Sequence, residues 1–133
     1  MSRRLTREKA FQTLYQLDIT KDNAERVLDN LATDDTKLDM DYLEKVVLGV
    51  LQNKEKIDSY IQKYSKKWQV TRMAKVDKAI LRLGVYEILL FDDVPASVSI
   101  NEAVELGKHF GGDTSPAFIN GILDSIRKEE GKK

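Results

Sequence analysis

The chain has 133 residues, a formal net charge of zero, 41% hydrophobic and 33% charged residues, a length that suits one domain or two very small units sharing a core. With no cysteine and one histidine, it cannot carry a disulfide, a thiolate metal site, a cysteine nucleophile or a histidine-pair metal site. No apolar run approaches the roughly 18 residues of a membrane span and no apolar signal core follows the basic N-terminus, so a soluble, cytoplasmic chain with no membrane partner is expected.

Helical periodicity runs along almost the whole chain. Residues 4–19 predict a first helix, with Ala10, Phe11, Leu14, Tyr15 and Ile19 on one side and Arg3, Arg4 and Arg7 away from it. Residues 22–32 predict a second, opened by Asp22-x-x-Glu25 in the pattern of a capping box. A polar loop is expected at 33–40. A third helix opens on Asp41-x-x-Glu44 and runs to Tyr64. Its Leu43, Val47, Val50, Ile57 and Ile61 follow a four–three spacing interrupted by Lys54, which suits either a homodimer seam or an intramolecular bundle.

After a break at 66–71, residues 73–91 are apolar nearly all round, the mark of a helix buried on several sides. Arg82 and Glu87 lie inside it, and charges there need partners. An internal ion pair and a contact with another protein both stay open. Pro95 ends this helix. Ser99-x-x-Glu102 predicts the cap of a fifth, which Gly111-Gly112 stops. Ser115 and Pro116 start the last, as cap and first helical residue, with Phe118, Ile119, Ile122, Leu123 and Ile126 as its inner face. The expected fold is all-α, one domain over residues 1–133. Its N-terminal half (about 1–65) and C-terminal half (about 66–133) are each too small for a generous core, so they are expected to pack together.

Chemistry has few carriers. His109 reads as a surface histidine near a helix C-terminus, and Asp92-Asp93 as solvated loop carboxylates with no further metal ligand in register. No enzyme activity, metal or cofactor is expected. Charge is unevenly distributed: basic over the first ten residues, acidic over 18–41, basic again over 63–82 and mildly basic over 127–133. Arginines at a helix N-terminus oppose the macrodipole, at about 0.3–1 kcal/mol each when exposed. Their placement therefore points to an anionic partner, with guanidinium forks suited to phosphate. The 63–82 stretch holds the single tryptophan, Trp68, which either joins the basic residues in a nucleic-acid surface or plugs the junction between the halves.

Three stretches carry a family resemblance: Arg3-Arg4-Leu5-Thr6-Arg7-Glu8-Lys9-Ala10-Phe11-Gln12-Thr13-Leu14-Tyr15, then Val76-Asp77-Lys78-Ala79-Ile80-Leu81-Arg82-Leu83-Gly84-Val85-Tyr86-Glu87, then Asp93-Val94-Pro95 through Ile100-Asn101-Glu102-Ala103 to Phe118-Ile119-Asn120-Gly121-Ile122-Leu123-Asp124. In these the chain resembles the NusB transcription antitermination factors. The resemblance implies two small helical bundles packed crosswise and a bacterial RNA-binding factor. It implies binding of boxA RNA from ribosomal RNA leader transcripts together with ribosomal protein NusE, and entry into an RNA polymerase elongation complex. It assigns Arg3, Arg4, Arg7 and Lys9 to RNA. It places Phe118 near the RNA as a ring on which a base can stack, although Phe118 also fits the core stripe of its helix. Asn120 either contacts RNA or ties down the preceding loop. Asp77 and Arg82 fall near the partner surface, with Arg82 equally suited to a structural pair with Glu87 or Glu102. Replacing Arg4 and Arg7 by alanine is expected to lower RNA affinity at near wild-type stability. Some ribosomal RNA methyltransferases carry the same helical fold ahead of a cofactor-binding domain; ending at Lys133, this chain is expected to bind and not to methylate. The rival reading is a helical protein–protein adaptor that does not bind RNA.

Overall fold

The structure is a computed structural model that describes residues 2–34 and 37–131. Parts of the expected loop (35 and 36) and of the basic tail (132 and 133) lie outside the described residues. Among the described residues there are seven α-helices and one short 3₁₀ turn, with no strand, as the periodicity implies.

Helix α1 (Arg3–Thr20) is capped by Ser2, whose Oγ accepts from the Leu5 amide at 3.2 Å. It ends at Lys21 in the left-handed region (φ 57°), where the Lys21 amide donates to the Leu17 carbonyl at 2.9 Å. Helix α2 (Ala24–Asp34) is capped one residue later than the sequence pattern suggested: Asn23 Oδ1 accepts from the Arg26 amide at 2.9 Å. Asp22 instead holds the Asn23 amide and the Arg26 side chain.

The expected long third helix is two. Helix α3 (Met40–Gln52) is capped by Asp39, not Asp41, through the Tyr42 amide. It stops at Asn53, whose Nδ2 donates to the Gly49 carbonyl at 2.8 Å and competes with the helical ladder. Helix α4 (Lys54–Tyr64) starts at once from there. The apolar stripe survives the break, with Leu43, Val47, Val50, Ile57 and Ile61 all at most 1% exposed. It lies in the chain's own core, so this stripe serves the intramolecular bundle.

A strap, residues 65–74, contains the 3₁₀ turn Val70–Arg72. Then come α5 (Lys75–Leu90), α6 (Ala96–Phe110) and α7 (Ser115–Glu130). Helix α5 is the hub, packed against α1, α3, α4, α6 and α7, which is why its sequence is apolar on every side. One continuous core draws on both halves, from Phe11 and Leu43 to Leu81 and Leu123. The crossing of α3 over α5 depends on Gly49: a Cβ there would stand 2.4 Å from the Tyr86 ring.

Helix α6 starts directly after Pro95, earlier than expected. Ser99 and Glu102 therefore lie inside it and cap nothing; both are used across the core instead. Ser115 is the first residue of α7, and its hydroxyl accepts from the Gly112 amide at 3.0 Å, which closes the Gly111-Gly112 loop.

Candidate nucleic-acid interface

The start of α1 was expected to offer free guanidinium groups. The structure shows each arginine already facing a carboxylate. Arg3 lies 4.3 Å over the centroid of the Tyr42 ring, with Asp39 Oδ2 at 3.5 Å. Arg4 reaches α6 and forms a fork with Glu102, Nε–Oε1 3.1 Å and Nη2–Oε2 2.7 Å, while its side chain stays 73% exposed. Arg7 turns inward and is buried. Arg7 therefore does not sit opposite the apolar stripe; it belongs to it, three residues before Ala10 and four before Phe11. Lys9 is half-buried and forms no ion pair with a described residue.

The partner of Arg7 is Glu87. Its carboxylate is 1% exposed and receives Arg7 Nε at 2.8 Å, Arg7 Nη2 at 3.0 Å, the Tyr42 hydroxyl at 2.5 Å and the Ser99 hydroxyl at 2.9 Å. Four donors from α1, α3 and α6 thus converge on one side chain of α5, which satisfies a buried charge as the low-dielectric interior requires. Burial, and then the negative charge of Glu87, push the Tyr42 hydroxyl far above the usual tyrosine range, so it stays protonated and donates. Glu102 sits at the edge of this cluster, 3.4 Å from Arg7 Nη1. The hydrogen bond from Arg4 holds its carboxyl below the usual glutamate range.

The other buried charge of α5, Arg82, pairs with neither Glu87 nor Glu102. It forms a fork with Asp58 of α4, at 2.8 and 2.9 Å, and approaches Asp18 of α1 at 3.5 Å. Only 7% exposed, it ties three helices together. Burial alone would raise the Asp18 carboxyl; Arg82, Lys75, Lys78 and Lys21 around it outweigh burial and hold it below the usual aspartate range.

The remaining residues lie on the first turns of α7, on α5 and on the strap. Phe118 is half-buried against the core, so part of the ring is packed and part is open. Asn120 is exposed and makes no hydrogen bond to the loop at 111–112 in the described residues; Ser115 ties that loop down. Asp77 is half-buried and accepts from the Ser115 hydroxyl at 2.7 Å, which links α5 to the α7 loop. Trp68 is 48% exposed, so it does not plug the junction between the halves. Val70 and Met73 of the same strap are buried in the core instead, at 7% and 6% exposed.

Sequence reasoning missed Tyr42, Ser99 and Asp39 as members of the polar network. Ser99 and Glu102 gave a signal that pointed the wrong way, because their spacing also satisfies a capping box. Glu87 did give a usable one: a carboxylate inside an all-apolar helix requires a cation from elsewhere. His109 is exposed, and no group of His, Asp and Glu among the described residues could hold a metal ion. No helix among them is long and apolar enough to cross a membrane.

A profile of the NusB family matches residues 4–128. Transcription antitermination protein NusB of Bacillus licheniformis is 45% identical over 129 residues, 97% of this chain and 98% of that protein. NusB of T. maritima superposes with a TM-score of 0.90 at 34% identity, covering 98% of this chain and 94% of that one. A chain in a crystal structure of antitermination factors NusB and NusE in complex with dsRNA superposes with a TM-score of 0.84 at 26% identity, covering 95% and 96%. Fold, polar clusters and relatives together define a small all-helical transcription factor that is not an enzyme. The match spans almost the whole length, and the chain belongs to the NusB family of antitermination factors.

Proposed function

We propose that this chain acts in the cytoplasm as a transcription antitermination factor that binds boxA RNA of ribosomal RNA leader transcripts together with ribosomal protein NusE, and that the pair joins an RNA polymerase elongation complex. The observation that carries the reading is the similarity of this fold, over nearly all its length, to a NusB chain whose crystal structure also contains NusE and dsRNA.

In this reading Arg3, Arg4 and Lys9 meet phosphates, Phe118 offers the open part of its ring to a splayed base, and Asn120 bonds a base edge. Arg7 positions the others: it anchors α1 on Glu87 and steadies Glu102, which holds Arg4. Asp77, on the surface beside the α7 loop, meets the protein partner. Arg82 supports that surface from inside through Asp58 and Asp18. The exposed Arg4 guanidinium favours this reading over the rival adaptor, because the two donors it turns to Glu102 are those a phosphate takes.

The test is a fluorescence anisotropy titration of a boxA-type RNA with the chain, with NusE, and with both. Tighter binding by the mixture than by either protein supports the reading, with affinity falling as salt rises. Absence of RNA binding by the mixture rejects it and leaves the adaptor.

A further inference from the structure

Unpaired positive charge lies in the strap between α4 and α5, a different element from the α1 start assigned above. The sequence has no carboxylate between Asp58 and Asp77. Lys63 is paired with Glu130 and Lys75 approaches Asp18. Lys66, Lys67 and Arg72 are exposed and form no ion pair with any described residue. The start of α1, by contrast, has Asp39, Glu87 and Glu102 facing its arginines.

Trp68 stands among these free cations, with Lys67 Nζ 5.9 Å from its ring centroid. The backbone that carries it is pinned. Ser65 Oγ donates to the Trp68 carbonyl at 2.6 Å, and Gln62 Oε1 accepts from the Val70 amide at 2.9 Å. Val70 and Met73 are buried on the far side. The indole is thus held outward on an anchored turn. One exposed apolar residue calls for no explanation, but its setting is selective. Its exposed neighbours are Lys66, Lys67, Gln69, Thr71 and Arg72. Lysine is depleted at the centre of protein interfaces, whereas an aromatic ring bordered by cations is how proteins hold single-stranded nucleic acid.

We propose that residues 66–72 form a second RNA contact, in which Trp68 stacks on an unpaired base and Lys66, Lys67 and Arg72 take the adjoining phosphates. This rests on the RNA-binding reading above and adds a site to it.

Because Trp68 is the single tryptophan, its emission reports this site alone. Single-stranded boxA-type RNA is titrated into the full chain while anisotropy of the labelled RNA is followed in parallel. Emission is expected to quench in step with the anisotropy rise. Trp68→Ala is expected to weaken RNA roughly ten-fold, and Trp68→Phe to restore most of the loss. Lys66→Gln with Lys67→Gln is expected to lower the slope of log affinity against log salt by about 1.4, at roughly 0.7 per phosphate contact on a single strand. Circular dichroism melts establish that each variant is folded, and the lysine pair keeps the test open if Trp68→Ala is not. RNA binding by anisotropy with unchanged emission and unchanged variant affinities overturns this site and leaves the RNA reading standing. Loss of NusE binding, with RNA binding intact, in Trp68→Ala makes the strap a protein contact and overturns the site. No RNA binding by the wild-type chain, alone or with NusE, overturns both.

Discussion

Arg7 of α1 and Glu87 of α5 form a two-pronged ion pair, Nε–Oε2 2.8 Å and Nη2–Oε1 3.0 Å, with side chains only 5% and 1% exposed. They are 80 residues apart in the chain. The pair joins the first helix to the central one, and Tyr42 and Ser99 complete the shell of the carboxylate. An arginine in a basic N-terminal cluster has thus become a structural cross-link.

The first prediction follows from that burial. Removing one partner of a buried pair leaves the other charge without compensation, at a cost of about 3–5 kcal/mol. Arg7→Ala is expected to lower the free energy of unfolding by roughly that amount in urea titration. The sequence suggests that Arg4→Ala with Arg7→Ala weakens RNA binding at near wild-type stability; with Arg7 buried on Glu87, this double variant is expected to lose stability as well. Arg4→Ala alone is the clean variant, because Arg4 is mostly solvated and its loss is expected to leave the urea midpoint close to wild type. Equal midpoints for the two single variants would contradict the cross-link.

How much of this could be read from the residues differs by length scale. The all-α class and the places of α1, α5 and α7 follow from 3.6-residue periodicity, with Gly111 at the end of α6 and Pro116 in the first turn of α7, since these are local effects. The burial of Arg7 was also available: its spacing to Ala10, Phe11 and Leu14 is that of the stripe itself. The break at Asn53 was hidden because the apolar spacing runs through it and a single side chain decides it. The Arg4–Glu102 fork was hidden for another reason. Its partners are 98 residues apart, and Glu102 sits in a pattern that an N-terminal cap explains equally well. The pairing of Arg82 with Asp58 likewise needs the α4–α5 packing before it can be seen.

Acid should unfold the chain through a small set of carboxylates. Asp18 and Glu102 are both held below their ordinary values in the folded chain. A depressed carboxylate contributes stability that is complete above its unfolded pKa, about 3.9 for Asp and 4.3 for Glu, and is lost as pH falls through the lower folded value. Melting temperature is therefore expected to be level from pH 7 to about 5 and to fall below about 4. In Asp18→Asn with Glu102→Gln the acid limb should be shallower. An unaltered limb would place the acid-sensitive groups elsewhere.

Gly49 sets the distance between α3 and α5. A methyl group there meets Cε1 and Cζ of Tyr86 at 2.4 Å. The ring is 6% exposed and moves only as a rigid plate. Overpacking of this kind costs about 1–3 kcal/mol. This outweighs the roughly 1 kcal/mol that alanine gains over glycine within a helix. Gly49→Ala is expected to be destabilised, with Tyr86→Leu, which removes the hydroxyl-bearing end of the ring, recovering part of the loss. A more stable Gly49→Ala in the same urea titration would show that the two helices can move apart freely.

In the reading proposed above, Glu102 and RNA compete for Arg4. The fork it makes, 3.1 Å to Nε and 2.7 Å to Nη2, uses the same two donors that a phosphate would take. In the reading proposed above, phosphate binding must displace this carboxylate, so its negative charge opposes RNA at the first contact. Glu102→Gln removes the charge and keeps one acceptor oxygen, which leaves Arg4 oriented but more weakly held. An exposed ion pair contributes little, so boxA-type RNA affinity is expected to rise by no more than about five-fold. The gain should vanish in the Arg4→Ala background, because it acts through that guanidinium. Arg7, 3.4 Å from the same carboxylate, keeps Glu87 as its main partner and holds the helix in place throughout. A fall in affinity on Glu102→Gln would instead mean that Glu102 serves chiefly to aim Arg4, and that the ordered fork matters more than the charge it neutralises.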